Sequence, residues 1–289
     1  MAIRVEHNLA YALGQSRDLA IGGSPPGPAQ RASRHALRFL IVPGRDEGDL
    51  AQQVAAIRWF HTLELPGGIT TPGAIDSSRL LRRIQLPRSL AGQRVLDIGA
   101  WDGYWSFEAA RRGAQVLATD SYSWGGGGWG TQEGFLLARE ALGLGEQVRD
   151  QQIDVMDLTP ERVGGPYDLV LLLGVLYHLR DPITAIERAA SCCSGQLIIE
   201  TETALNHLRV PAARVHPGAT LANDPTNWYQ YNVRALRGLL QELGFERVRT
   251  AYLTPTHRRI ARALLGDRQG QTRRMALRSR RVILHAHRS

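Results

Sequence analysis

The chain predicts an α/β protein whose mostly parallel sheet is covered by helices on both faces. Three observations carry this. From Arg94 onward, short apolar runs alternate with amphipathic segments, the pattern of βαβ units. The run Val95-Leu96-Asp97-Ile98 passes straight into a glycine turn, Gly99-Ala100-Trp101-Asp102-Gly103. The next apolar run, Gln115 to Thr119, ends on a carboxylate, Asp120.

Taken in order, residues 1 to about 45 carry no periodic pattern, and Gly22–Ser33 (GGSPPGPAQRAS) reads as a loop or flexible linker. Asp46 to Trp59 suggests a helix, carried by Leu50, Val54 and Ile57. Thr62–Gly73 is turn-rich, through Gly67, Gly68, Pro72 and Gly73. Asp76 is a capping residue and opens a second short helix. Strands are expected at 94–98, 115–119, 150–155, 168–173, 196–200, 246–252 and 281–286. Helices fit between them at about 103–112, 132–142, 182–190 and 233–243, the last stopped by Gly244 at the C′ position. Residues 1–90 form an N-terminal helical cap or lid, and residues 91–289 the ligand-binding domain, with acceptor-site elements around 203–232 and a basic C-terminal part.

Composition narrows the setting. At 289 residues the chain fits one large domain, or one domain with an attached cap. No apolar run reaches the roughly 18 residues of a membrane span, and the first residues lack the pattern of a secretory signal. The two cysteines, Cys192 and Cys193, are adjacent, which suits neither a bridge nor a metal site. A cytoplasmic location without membrane contact is expected, and no metal. All 35 basic residues are arginine. The net charge of +8 is concentrated between Leu253 and Ser289, where ten arginines face one aspartate, so the rest of the chain is near neutral. That tail can meet phosphates or simply form a solvated surface.

The glycine turn has the spacing D-x-G-x-x-x-G and lacks the dinucleotide fingerprint G-x-G-x-x-G. Glycine lets backbone approach a ligand closely, and an acid at the end of the next strand suits ribose hydroxyls. This order resembles that of class I S-adenosylmethionine (SAM) methyltransferases. The resemblance implies a Rossmann-like sheet of seven strands, with the last strand inserted antiparallel. It assigns Asp97, Gly99 and Gly103 to the donor, Asp120 to the ribose, and Asp154, Val155 and Met156 to the adenine.

A narrower resemblance lies in IRWFHTLELPGGITTPG (Ile57–Gly73), VLDIGAWDGYWSF (Val95–Phe107), GVLYH (Gly174–His178) and LIIETE (Leu197–Glu202). These are similar to methyltransferases related to the bacterial tRNA wobble-uridine carboxymethyltransferase. Many members of that group, especially in actinobacteria, act on small molecules of specialised metabolism. The match covers roughly Ile57 to Gly244. Tyr177 matches a tyrosine that contacts the donor, and Arg280 sits where the group places a cofactor-side arginine. The tRNA enzyme uses carboxy-SAM with the help of lysines upstream of the first strand. This chain has no lysine and offers His61 and Arg79 there, so ordinary SAM is the expected cofactor in preference to carboxy-SAM.

An oxygen or nitrogen nucleophile loses a proton during methyl transfer, and a positioned histidine or carboxylate can accept it. The candidates are His61, His178 and Glu200. His61 can instead lock the cap by hydrogen bonding. Trp59, Glu202, His207, Trp228, Tyr229, Tyr231 and Arg280 are the candidate acceptor contacts, with the aromatic residues forming an apolar wall with polar tips. The insert after Asp120 places Trp124 and Trp129 on either side of four glycines, which suits a lid. The expected activity is methylation of a small molecule at oxygen or nitrogen, with a small-molecule acceptor favoured over nucleic acid. The alternatives are tRNA wobble-uridine modification, favoured by the basic tail, and a non-catalytic SAM-binding partner.

Overall fold

The computed structural model describes residues 47–126, 129–265, 277 and 279–289. All of the described residues belong to the unit Ile41–Ser289. The linker expected at 22–33 and the cap residues before 47 lie outside the described residues.

Strands β1 (Arg94–Ile98) and β4 (Tyr167–Leu173) are nearly continuous apolar runs. A strand apolar on both faces belongs in the middle of a sheet with helices on each side. Here β1 pairs in parallel with β2 (Gln115–Asp120) and with β4, β2 with β3 (Val148–Gln152), and β4 with β5 (Cys193–Thr203). Successive side chains of β4 enter opposite layers: Leu169, Leu171 and Leu173 one, Val170 and Leu172 the other. The first layer holds Phe107 of α3 (Tyr104–Ala110) and Phe135 of α4 (Glu133–Ala141). It also takes in Leu50 and Val54 of α1 (Glu47–Ala56) and Ile84 of α2 (Ser77–Ile84). The second layer is closed by Ile186 and Ala189 of α5 (Pro182–Ser191) and by Leu236 and Leu240 of α6 (Val233–Glu242).

The last strand, β9 (Arg280–His287), lies antiparallel between β5 and β8 (Arg247–Leu253), the insertion that the resemblance implies. Among the described residues the sheet has nine strands. Two short ones add to the seven expected: β6 (Ala213–Val215) pairs antiparallel with β7 (Tyr229–Tyr231), and β7 meets the end of β5 at Thr203. Three residues are too few for alternation to show in a sequence. Helix α7 (Thr256–Leu265) is a further addition, unsignalled because Thr256, His257, Arg258 and Arg259 give its first turn no apolar stripe.

Two boundaries differ for visible reasons. The third strand, expected at 150–155, stops at Gln152. Asp154 accepts the Met156 N–H at 2.9 Å and starts a single 3-10 turn, Val155–Asp157, which turns the chain out of the sheet. Strand β5 outgrows 196–200 because β9 pairs with it from Gln196 to Thr203. Asp76 caps α2 by accepting the Ser78 N–H at 3.1 Å, and Gly244, with φ of 85°, ends α6. Cys192 and Cys193 are buried and unbridged, and burial raises the Cys193 thiol to about 11. Among the described residues no helix is long and apolar enough to cross a membrane.

Candidate active site

The strand order reverses between β1 and β4, which opens a crevice at their carboxyl ends. The two turns that leave these ends touch. Gly99 has φ of 77°, and a Cβ there would lie 2.4 Å from Val175 Cγ2. Gly103, with φ of 85°, starts α3, and its Cβ would lie 2.6 Å from ring atoms of both Phe107 and Phe135. Between them Trp101 has φ of 50°, a conformation that a bulky residue adopts only when held. It is held on both sides. Its N–H donates to Asp120 Oδ2 at 3.0 Å, and its carbonyl accepts the Trp124 Nε1–H at 2.6 Å.

Carboxylates gather at the strand ends. Asp97 is buried and accepts the Ser106 hydroxyl at 2.7 Å. Burial raises its pKa to about 6, against the hydrogen bond from Ser106 and the nearby His61. Asp120 is also buried and also raised by burial. Its Oδ1 accepts the Ser123 N–H at 2.9 Å, and Oδ2 the Trp101 N–H. The Ser123 hydroxyl and the Trp124 N–H also hydrogen-bond to this carboxylate and stabilise its charge against the cost of burial. Asp154 is exposed and accepts the Ser121 hydroxyl at 2.9 Å, beside buried Val155 and half-buried Met156.

On the β4–β5 side, Gly174 has φ of 77°, and a Cβ there would lie 3.8 Å from both Glu200 Oε2 and the Tyr177 hydroxyl. Glu200 is buried and accepts from Arg281 Nη1 at 2.9 and 3.1 Å. Arg281 Nη2 lies 3.5 Å from Glu202, which also accepts from Gln230 Nε2 at 3.0 Å. Burial opposes the arginine's charge, but Glu200, Tyr177 and Glu202 together hold its pKa above the ordinary range. Register explains the grouping. Arg281 stands opposite Glu202 on the paired strand, so the two share a face, and Glu200, two residues along, shares it too. Arg280 therefore falls on the other face, where its Nη2 meets Thr256 Oγ1 at 3.4 Å. Arg281 is the site residue that the sequence reading missed, and only the β5–β9 register could have revealed it.

An aromatic row links the turns at these strand ends. Phe60 stacks on Trp101 with centroids 4.3 Å apart, and Trp101 on Trp129 at 5.3 Å. Trp129 meets the His178 ring edge-on at 4.6 Å, and His178 meets Tyr177 at 4.2 Å. The row joins the N-terminal segment, the glycine turn, the insert after β2 and the end of β4. Burial lowers the His178 pKa to about 4, so its ring is neutral near pH 7. Gly127 and Gly128 of the expected lid lie outside the described residues.

Several expected site residues are engaged in structural contacts or exposed away from this row. His61 is buried, its Nδ1 is paired with Asp102, and Thr71 donates to its carbonyl at 2.9 Å. Trp59 lies in the core, with its indole N–H donated to Val54 O at 2.9 Å. Tyr231 belongs to the second core layer, with Tyr229 stacked 6.1 Å away. His207 is exposed in the turn after β5. Trp228 packs under the Arg180 guanidinium at 4.3 Å, and its backbone N–H donates to Tyr177 O at 2.7 Å, which ties its loop to the turn carrying His178.

The profile of the family described as methyltransferase domain matches residues 75–250, more than half of the chain. This chain belongs to the methyltransferase-domain family. The tRNA U34 carboxymethyltransferase of Dichelobacter nodosus is 31% identical over 116 residues, 39% of this chain and 34% of that protein. The match thus spans about a third of that relative's length. The enzyme of the same name from Geobacter sp. strain M21 is 28% identical over 240 residues, 75% of this chain and 68% of that one. The ubiquinone biosynthesis O-methyltransferase of Xanthomonas euvesicatoria is 38% identical over 127 residues, 43% and 47% of the two chains. Among solved structures, the N-terminal domain of EvdMO1 with SAH bound superposes with a TM-score of 0.60 at 17% identity, covering 85% of this chain and 98% of that one. That last likeness is one of fold.

Proposed function

We propose that this methyltransferase moves the methyl group of SAM to an oxygen or nitrogen of a small molecule, in the manner of the specialised-metabolism members its sequence resembles, with His178 as proton acceptor. The observation that supports this is the aromatic row from Phe60 to Tyr177, which links the N-terminal segment, the glycine turn, the insert after β2 and the end of β4 and contains a neutral histidine. Methyl transfer from a sulfonium asks a protein mainly to align the partners and exclude water, and an aromatic enclosure does both for a small, flat acceptor. In this reading Asp120, at the end of β2, receives the ribose hydroxyls. Asp154, Val155 and Met156 surround the adenine. Asp97, a desolvated carboxylate, gains from the positive charge of the donor's methionine half. Gly99, Gly103 and Gly174 leave room where side chains would intrude, and Tyr177 closes the methionine end.

Ordinary SAM fits better than carboxy-SAM because Arg281 is already answered by Glu200 and Glu202. A donor carboxylate would have to compete with both. We assign His61 to holding the N-terminal segment, since Asp102 bonds both its backbone N–H and its ring Nδ1 while Thr71 donates to its carbonyl.

The test is incubation with methyl-deuterated SAM and pools of phenols, hydroxy compounds and amines, followed by mass spectrometry. Label on a small-molecule oxygen or nitrogen supports the proposal. Label found only in RNA supports the second reading, tRNA modification. One observation favours that reading: Arg79, Arg82 and Arg83 of α2 and Arg258 of α7 line an open groove of about 430 Å³. Binding of total tRNA that falls steeply with salt is its signature. Tight SAM binding with no transfer to either pool would instead indicate a non-catalytic partner.

A further inference from the structure

We propose that Thr226 and Asp224 are positioning residues that hold the His178 ring as its Nδ1–H tautomer and so leave Nε2 as the nitrogen able to take up a proton. This rests on the reading of His178 as proton acceptor and names the groups that prepare it. His178 Nδ1 lies 2.9 Å from Thr226 Oγ1. Thr226 Oγ1 lies 2.6 Å from Asp224 Oδ1, which also receives the Thr226 N–H at 2.8 Å. A carboxylate can only accept, so the threonine hydroxyl donates to it. That spends the hydroxyl's one proton. Towards His178 the oxygen has only lone pairs to offer, so the bond requires a proton on Nδ1. In a neutral imidazole the other nitrogen then carries the lone pair.

The relay is built into the fold. Asn227 N–H donates to Asp224 O at 3.2 Å, and Asn227 Nδ2 to Leu221 O at 3.1 Å, which closes the loop on itself. The Trp228 N–H to Tyr177 O bond fastens that loop to the turn bearing His178. The groups facing the ring are Asp224 and Thr226 from this loop, Tyr177 beside it, Trp129 from the insert and Arg281 from β9. Asp224 and the Thr226 backbone favour the protonated ring, while burial and Arg281 oppose it. The carboxylate behind the hydroxyl therefore supports the imidazolium that proton uptake creates, as an orienting carboxylate does in other acid–base pairs.

The test needs no acceptor. In protein labelled with 15N-histidine, long-range 1H–15N spectra report which ring nitrogen bears the proton, and the His178 signals are those lost in His178→Asn. The expected result is an Nδ1–H pattern for His178 between pH 6.5 and 8, kept in Thr226→Ser and lost in Thr226→Val. Asp224→Asn should make the ring harder to protonate, so that its titration shifts to lower pH. An Nε2–H pattern in the wild type, or an unchanged pattern in Thr226→Val, would overturn the proposal. SAM affinity by calorimetry is the companion readout, expected to change less than about threefold in Thr226→Val. If the tautomer is as expected but SAM does not bind, the functional reading fails and the positioning role stands.

Discussion

The carboxylate of Asp102 holds His61 twice, through the backbone N–H at 2.8 Å and through ring Nδ1. The same Oδ2 accepts the Phe60 N–H at 2.8 Å. A residue of the glycine turn thus carries the N-terminal segment on its side chain. Removing it strands three donors. Asp102→Ala should cost about 3 kcal/mol, the scale of an uncompensated buried polar cluster. Urea denaturation measures this, and cleavage between residues 57 and 76 by a protease should rise in parallel. Wild-type stability in the variant would mean that the segment is held by packing alone.

Two groups oppose each other over pH. The folded pKa of His178, about 4, lies below its ordinary 6.5. Between those values the unfolded chain binds more protons, so this group's contribution to stability falls as pH falls. The folded pKa of Asp97, about 6, lies above its ordinary 3.8. There the native state binds more protons, so its contribution is present at low pH and lost as pH rises through 6. Between pH 6.5 and 4.5, His178→Asn should therefore lose less stability than the wild type, and Asp97→Asn should lose more. The difference in each case is on the order of 1 kcal/mol. Identical slopes for the three proteins in denaturant titrations at stepped pH would contradict both assignments.

The fold was legible because β1 and β4 are apolar on both faces, and such runs have few homes outside the middle of a covered sheet. The convergence of Asp97, Gly99, Gly103 and Asp120 was legible for a related reason: they sit at strand ends, and strand ends can be read from apolar runs. The grouping around Glu200 was not. Which of Arg280 and Arg281 faces Glu200 depends on the pairing of strands some eighty residues apart, and a slip of one residue exchanges them. Trp59 and Tyr231 look like binding aromatics in sequence, and only packing shows that they fill the core. Thr226 gave no signal, because its role exists only through contact with His178.

Two glycines with positive φ separate backbone strain from crowding. At Gly68, φ of 71°, an added Cβ would meet nothing within 4 Å, whereas at Gly103 it would fall 2.6 Å from two buried rings. Gly68→Ala should cost only the left-handed backbone penalty, about 1–2 kcal/mol. Gly103→Ala should add about 1–3 kcal/mol of overpacking against Phe107 and Phe135. Equal losses in melting temperature would show that the rings move aside.

Asp120→Ala should weaken SAM binding by about 10- to 100-fold, the equivalent of one or two charge-assisted hydrogen bonds. The loss includes release of the Trp101 and Ser123 N–H groups, which shape the turn. Asp154→Ala is the comparison. Its carboxylate is exposed, so calorimetry should show a smaller drop. Unchanged affinity in Asp120→Ala would remove the ribose assignment.

Adjacent arginines on β9 should behave differently. Arg281→Met leaves Glu200 buried without its cation and should destabilise the protein by about 3 kcal/mol or more. Much of that is the cost of the stranded carboxylate, so adding Glu200→Leu should restore most of it, since replacing a buried ion pair with apolar groups is often near neutral. Arg280→Met removes one long bond to Thr256 and should stay within about 0.5 kcal/mol of the wild type. Denaturant midpoints for the four proteins decide the matter. A larger loss for Arg280→Met than for Arg281→Met would mean that the β5–β9 register is one residue out, and with it the assignment of Arg281 to the site.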